Sequence, residues 1–239
     1  MPRNGGERIG YGRGRARFGE MTLPAGPGPH PVAVVLHGGF WKRIYDRRLM
    51  WGVSEDLARR GFIAWNVEYR RVGWIGSGGW PGTCEDVTAA VEFLRHFDNV
   101  DLKRVVAVGH SAGGHLAAWL AGTNDQREVK IKAACAQAGV VDFEAGDADP
   151  RCSQNIRNFL GGADPADVPD ADPARMDIKV PVLCVHGRDD GIVPVAVSEA
   201  FVEKQPLAEL RVFGGEDHMG HIHAANRMWQ AAAQWLTAV

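Results

Sequence analysis

The chain has 239 residues, 45% of them hydrophobic and 23% charged, and its 27 basic and 29 acidic side chains leave a net charge of −2. This is an ordinary soluble composition, and the near-neutral balance excludes a strong electrostatic pull toward nucleic acid or a membrane surface. No apolar run has membrane-spanning length and the N-terminus lacks a signal-peptide core, so a cytoplasmic protein is expected.

The length suits one α/β domain as well as two small ones. Cys84, Cys135, Cys152 and Cys184 are scattered with no C-x-x-C pair, and reduced core thiols are expected. Residues 1–30 carry Arg3, Arg8, Arg13, Arg15 and Arg17 among glycines. Glu7 and Glu20 interrupt that run, which favours a solvated pair of twisted edge strands over a nucleic-acid arm. Val32 to Leu36 is a buried strand, ending in His37-Gly38-Gly39-Phe40-Trp41. Two glycines directly after a strand let backbone amides approach a ligand, and His37 is expected to brace that loop.

Asp46 to Arg60 reads as an amphipathic helix closed by Gly61, and Phe62 to Val67 as a strand. The glycine-rich segment 73–82 holds Trp74 and Trp80, which are either walls of an apolar pocket or anchors of a satellite core. Thr83 to Phe97 reads as a helix with Val87, Val91 and Leu94 on its apolar stripe.

Val105 to Val108 is another buried strand, and Ala112 to Leu120 a helix. Between them stands Gly109-His110-Ser111-Ala112-Gly113, a G-x-S-x-G match in the strand-turn-helix context its chemistry needs. A serine hydroxyl is a weak nucleophile. It must stand exposed on a sharp turn, near a general base, with amides ready for the developing oxyanion.

Ile131 to Ala138 is a strand, and 139–180 is rich in Asp, Gly and Pro with one helical piece near Asn155 to Leu160. That segment is expected to be a small cap or loop insertion within a single domain spanning 1–239. Val180 to Val185 and Leu210 to Phe213 are the last strands, Glu199 to Lys204 a helix, and His221 to Leu236 the closing helix. His221 and His223 are expected at that helix start, as cap or surface residues.

Alternating strands and helices predict a mostly parallel eight-stranded sheet with helices on both faces, whose sites lie beyond the carboxyl ends of the strands. Ser111, Asp190 and His218 all fall there, in the order Ser…Asp…His. The histidine would take the serine proton and the aspartate would hold its tautomer. Asp189 is expected to be the solvated neighbour of Asp190, and Asp142 is a weaker candidate acid. The spacing of His218, His221 and His223 lacks a metal-binding pattern, so neither metal nor cofactor is expected.

At these residues the chain resembles the α/β-hydrolase superfamily over nearly its whole length. His37-Gly38-Gly39-Phe40-Trp41 is similar to the H-G-G-x-W signature of kynurenine formamidases and related hormone-sensitive-lipase-like esterases. Gly109 to Gly114, His186-Gly187, Asp190 and Val193-Pro194 look similar to the same group. The resemblance implies Ser111 as nucleophile, Asp190 as acid, His218 as base, and Gly39, Phe40 and Ala112 as oxyanion amides. The expected activity is cleavage of a small ester or an N-formyl/aryl amide through an acyl-enzyme, with Trp41, Trp74 and Trp80 as an aromatic wall for the leaving group. An acyltransferase or thioesterase of the same fold stays open, as does a non-catalytic binding protein. The expected partner is a small-molecule substrate, with neither nucleic acid nor membrane.

Overall fold

The computed structural model describes residues 6–42, 45–73 and 78–239. Eight strands form one sheet in the order β1-β2-β4-β3-β5-β6-β7-β8. Strands β1 (Glu7–Gly10) and β2 (Phe18–Thr22) make the antiparallel edge. The other six run parallel: β3 (His30–Leu36), β4 (Ile63–Glu68), β5 (Val100–His110), β6 (Ile131–Gln137), β7 (Val182–Gly187) and β8 (Ala208–Phe213). All six parallel strands therefore end at one edge of the sheet, and chemistry carried by the loops that follow them is gathered there.

Both faces are covered, which is why the central strands read as unbroken apolar runs. Along β3, Val32, Val34 and Leu36 join a core with α2 (Gly82–Glu92), α3 (Ala112–Gly122) and α6 (Val195–Lys204). The alternate residues Ala33 and Val35 join a second core with α1 (Trp51–Arg59) and α7 (Arg227–Ala238).

Local chemistry moves several boundaries from their expected places. Strand β5 begins at Val100, because Asp101 and the exposed stretch Leu102–Arg104 extend the strand ahead of the apolar run at Val105. The closing helix begins at Arg227, where the Asn226 side chain accepts from the Met228 amide at 2.8 Å, and His221 lies in a 3-10 turn before it. Segment 139–180 holds two short helices, α4 (Phe143–Asp147) and α5 (Ser153–Phe159), then three 3-10 turns. Two of these turns open on Asp-Pro, with Asp164 and Asp172 accepting from Ala166 and Ala174 while proline occupies the first turn position. Phe143, Ile156, Phe159, Ala171 and Ala174 from this segment are buried in the α2/α3/α6 core. Among the described residues no helix is long and apolar enough to cross a membrane.

Candidate active site

Strand β5 runs into α3 through Ser111, whose backbone sits at φ 57° and ψ −119°. That conformation costs a non-glycine residue on the order of 1–3 kcal/mol and persists only where its surroundings enforce it. The flanking glycines do so. A Cβ at Gly109 would fall 2.0 Å from the Gly113 carbonyl oxygen, and one at Gly113 would fall 2.1 Å from that of Leu36. Strand, turn and helix thus pass closer than any side chain allows. The Ser111 amide donates to the Gln137 carbonyl at 2.8 Å, and Ala112, as first residue of α3, has an N–H with no acceptor inside its helix.

The loop after β3 presses against this turn. A Cβ at Gly38 would lie 2.9 Å from His110 Nδ1 and 3.0 Å from Ser111 Cβ. Gly39, Phe40 and Trp41 follow at φ 118°, 49° and 56°, and Lys42 closes the curl by donating to the Gly39 carbonyl at 2.8 Å. Among the described residues the Gly39 and Phe40 amides have no acceptor. His37 braces the loop as expected: its Nδ1 lies 2.8 Å from the Gly38 carbonyl oxygen and its Nε2 3.2 Å from Glu68 Oε1. Its ring stacks on Tyr69 at 4.3 Å, and the Tyr69 hydroxyl donates to the His37 carbonyl at 2.7 Å. Burial alone would raise the Glu68 carboxyl, but the hydrogen bond and charge of His37 and the charge of Arg71 hold it below its ordinary value.

His218, in the loop after β8, donates its Nδ1–H to Asp190 Oδ2 at 2.7 Å, which leaves Nε2 free to accept a proton. Both residues are buried, whereas Asp189 is exposed. Asp190 Oδ1 accepts from the amides of Ile192 and Val193 at 2.8 and 2.9 Å. His186 Nε2 lies 3.2 Å from Asp190 Oδ2. Burial would raise this carboxyl, yet the hydrogen bonds from His186 and His218 and from the Ile192 amide carry it far below the usual range. It stays ionised. The loop reaches its place because Gly187 has no side chain, since a Cβ there would meet the Glu216 carbonyl at 2.2 Å. No hydrogen bond joins the Ser111 hydroxyl to His218 among the described residues, and such contacts are commonly long before substrate binds.

The BD-FAE family profile matches residues 21–205. The chain belongs to the BD-FAE family. With it comes the α/β-hydrolase superfamily, in agreement with the fold and with solved structures. A truncated carbohydrate esterase from gut microbiota has a TM-score of 0.85 at 18% identity, covering 100% of this chain and 98% of that one. Propionate-bound esterase 2 of Thermogutta terrifontis has a TM-score of 0.78 at 22% identity, covering 98% and 93%. The probable carboxylic ester hydrolase LipM of Mycobacterium tuberculosis is 28% identical over 75% of this chain and 47% of its own length. Esterase LipC of the same organism is 27% identical over 74% and 48%. The chain spans about half the length of these curated relatives.

Within this BD-FAE chain the two expected tryptophans that are described, Trp41 and Trp80, pack against other aromatic rings. Trp41 is fully buried, stacked on Phe159 at 4.4 Å and edge-on to His115 and Phe143, so the structure corrects it from pocket wall to core. Trp80 packs edge-on against Trp119 at 6.1 Å in a surface groove of about 300 Å³ between α2 and α3. Trp74 lies outside the described residues. Asp142 caps α4 and pairs with Lys204 at 2.8 Å, away from His218. His223 is exposed as expected, but His221 is fully buried with its ring 5.8 Å from His110, which corrects its surface placement.

Two supporting residues of this candidate site carry no sequence signature of the contacts they make. His186 holds Asp190 from behind, with its Nε2 also 3.0 Å from the Val193 carbonyl and its Nδ1 accepting from Ser198 at 2.8 Å. Ser198 is set on α6, eleven residues beyond the end of β7, and only the folded chain brings it to His186. Among the described residues no group of His, Cys, Asp or Glu could hold a metal ion.

Proposed function

We propose that this chain is a serine hydrolase that cleaves small carboxylic esters through an acyl-enzyme. The observation that carries this reading is the His218–Asp190 pair, buried, 2.7 Å apart and delivered to the end of the sheet where Ser111 sits strained on its turn. Ser111 Oγ attacks the ester carbonyl carbon while its proton passes to His218 Nε2. Asp190 holds the Nδ1–H tautomer and stabilises the imidazolium. The amides of Ala112, Gly39 and Phe40 receive the oxyanion of the tetrahedral intermediate. Collapse of that intermediate expels the alcohol, which takes its proton from His218, and water then releases the acid by the same route.

LipM, LipC and the two structural neighbours are named as ester hydrolases, and this supports an ester over an amide. The H-G-G-x-W run supports an N-formyl arylamide as second substrate, although Trp41 is occupied in the core. The test pairs fluorophosphonate labelling of Ser111 with turnover of short-chain nitrophenyl esters and of N-formyl arylamines. Labelling abolished by Ser111→Ala, with ester turnover exceeding amide turnover, is expected. A protein that neither labels nor turns over any ester is not this enzyme.

A further inference from the structure

A cavity of about 700 Å³ opens at the antiparallel edge of the sheet, lined by seven arginines and only two carboxylates, Asp46 and Glu68. It lies at the same end of the sheet as Ser111, because Phe18 at the start of β2 pairs with Glu68 at the end of β4. Strand β4 is two strand spacings from β5, roughly 10 Å across the sheet. The proposed ester chemistry uses none of these arginines.

Four of the seven have carboxylate partners. Arg17 pairs with Asp86 at 2.6 Å, Arg70 with Asp86 and Glu85 at 2.9 and 3.2 Å, Arg47 with Glu20 at 2.5 Å, and Arg71 with Glu68 at 3.4 Å. Arg8, Arg13 and Arg15 have no carboxylate partner among the described residues. Three uncompensated guanidinium groups therefore face one cavity in a chain whose net charge is −2. The fold holds them together. Gly14, at φ 114°, turns the β1–β2 hairpin between Arg13 and Arg15, and its closing bond runs from the Tyr11 amide to the Arg17 carbonyl at 3.2 Å. The Arg8 guanidinium lies 3.6 Å from the Phe18 ring centre and that of Arg47 4.7 Å from it, so one ring carries two positive groups. Like charges held this way repel, and an anion with several oxygens relieves the repulsion through bidentate guanidinium contacts.

We propose that this cavity binds a small multivalent oxyanion, carrying carboxylate or phosphate groups, through Arg8, Arg13 and Arg15. Its volume is that of a small-molecule site and not of a polymer track. The site has a physical link to the turn at Ser111. Glu68, on the cavity wall, contacts His37, which holds the Gly38 carbonyl, and Gly38 rests on Ser111. The inference stands on the cavity alone and does not require the chain to hydrolyse esters.

The test is calorimetric titration of the full chain with citrate and, separately, with pyrophosphate, at an ionic strength fixed with potassium chloride. Saturable binding of either probe near or below about 1 mM is expected, and the tighter of the two identifies the source as a carboxylate or a phosphate. Arg13 and Arg15 are exposed, so Arg13→Ala/Arg15→Ala folds with an unchanged melting temperature and binds at least about tenfold more weakly. Lys103→Ala/Lys132→Ala removes the same charge from exposed positions toward the other end of the sheet and leaves binding unchanged. Absence of binding to both probes, or equal weakening in the two double variants, overturns the proposal.

Discussion

His110 donates its Nε2–H to the backbone carbonyl of His218 at 2.8 Å, tying the end of β5 to the loop beyond β8 across the places of β6 and β7. Burial carries the His110 pKa down to about 3, so the ring is neutral at physiological pH and carries the single hydrogen this contact uses. The residue between Gly109 and Ser111 thus sets where His218 stands. His110→Ala should lower kcat by roughly a hundredfold, the scale of loss for a small displacement of catalytic groups, with KM little changed. His110→Gln keeps a donor and should recover part of that loss. Equal kcat in all three proteins, with only the melting temperature altered, would make His110 a packing residue.

Ser111→Ala should leave a folded protein with turnover reduced about a million-fold, the loss typical for a triad nucleophile. Its backbone strain would be relieved little, since alanine also disfavours positive φ, so the melting temperature should stay close to that of the parent. Activity above a few per cent with a nitrophenyl ester would remove Ser111 from the mechanism.

Asp190→Asn should reduce turnover by up to roughly 10⁴-fold, because the amide cannot hold the Nδ1–H tautomer of His218. Asp189→Asn, on an exposed side chain, should change turnover by less than about twofold, as surface substitutions usually do. Asp142→Asn should weaken the fold through its cap on α4 and its pairing with Lys204, while leaving kcat in place. A fall in kcat for Asp142→Asn as steep as that for Asp190→Asn would reopen the choice of acid.

The sheet and the places of the candidate residues Ser111, Asp190 and His218 after its strands were legible because each leaves a local mark. A β-branched run stopped by glycine locates β5, and the Gly-x-Ser-x-Gly spacing is required by contacts near 2 Å at Gly109 and Gly113. Of the braces only His37 left such a mark, from its place directly before Gly38-Gly39. His110 and His186 also lie at the ends of apolar strands, yet nothing local shows that one ring meets the His218 carbonyl and the other Asp190. His221 read as a helix-start surface residue because the capping signal of Asn226 lies five residues further on. Trp41 read as a pocket wall from its nearness to Gly39, but its backbone at φ 56° turns the indole into the aromatic cluster of Phe143 and Phe159. The segment 139–180 concealed its order in Asp-Pro turns, which have caps but no periodicity.

Stability should fall steeply in mild acid. Burial brings His110 to about 3 and His115 to about 4, and it carries His221 well below its ordinary value. The unfolded chain, with histidines near 6.5, binds more protons than the native one as pH falls below that value, so native stability is lost as pH drops toward 4. Each histidine contributes about 1.4 kcal/mol per pH unit in that window. Asp172 opposes one of them, since burial raises it to about 6 and the native state holds its proton where the unfolded chain does not. Urea unfolding should therefore lose on the order of 3 kcal/mol per unit between pH 6 and 5, two net protons' worth. His115→Gln, which keeps a donor for the Ala171 carbonyl, should flatten that slope by about half. Equal stability at pH 7.5 and pH 5 would show that these rings protonate in place.

Trp41 and Trp80 should differ in how much stability each substitution removes. Trp41 has no exposed surface and meets three aromatic rings, so Trp41→Ala should cost about 3–5 kcal/mol. In a chain of this size that is a fall of roughly 6–20 °C in Tm. Trp41→Phe, which retains the stacking on Phe159, should cost much less. Trp80 is half-buried, and its partner Trp119 lies eight residues along α3 from Ser111, roughly 12 Å by helical rise. Trp80→Ala should lower stability by about 1 kcal/mol, the worth of one aromatic pair. At that distance from the serine it should leave the ratio of kcat/KM for aryl and alkyl esters unchanged. A selective rise in KM for aryl esters in Trp80→Ala, at an unaltered melting temperature, would instead assign the α2–α3 groove to the leaving group.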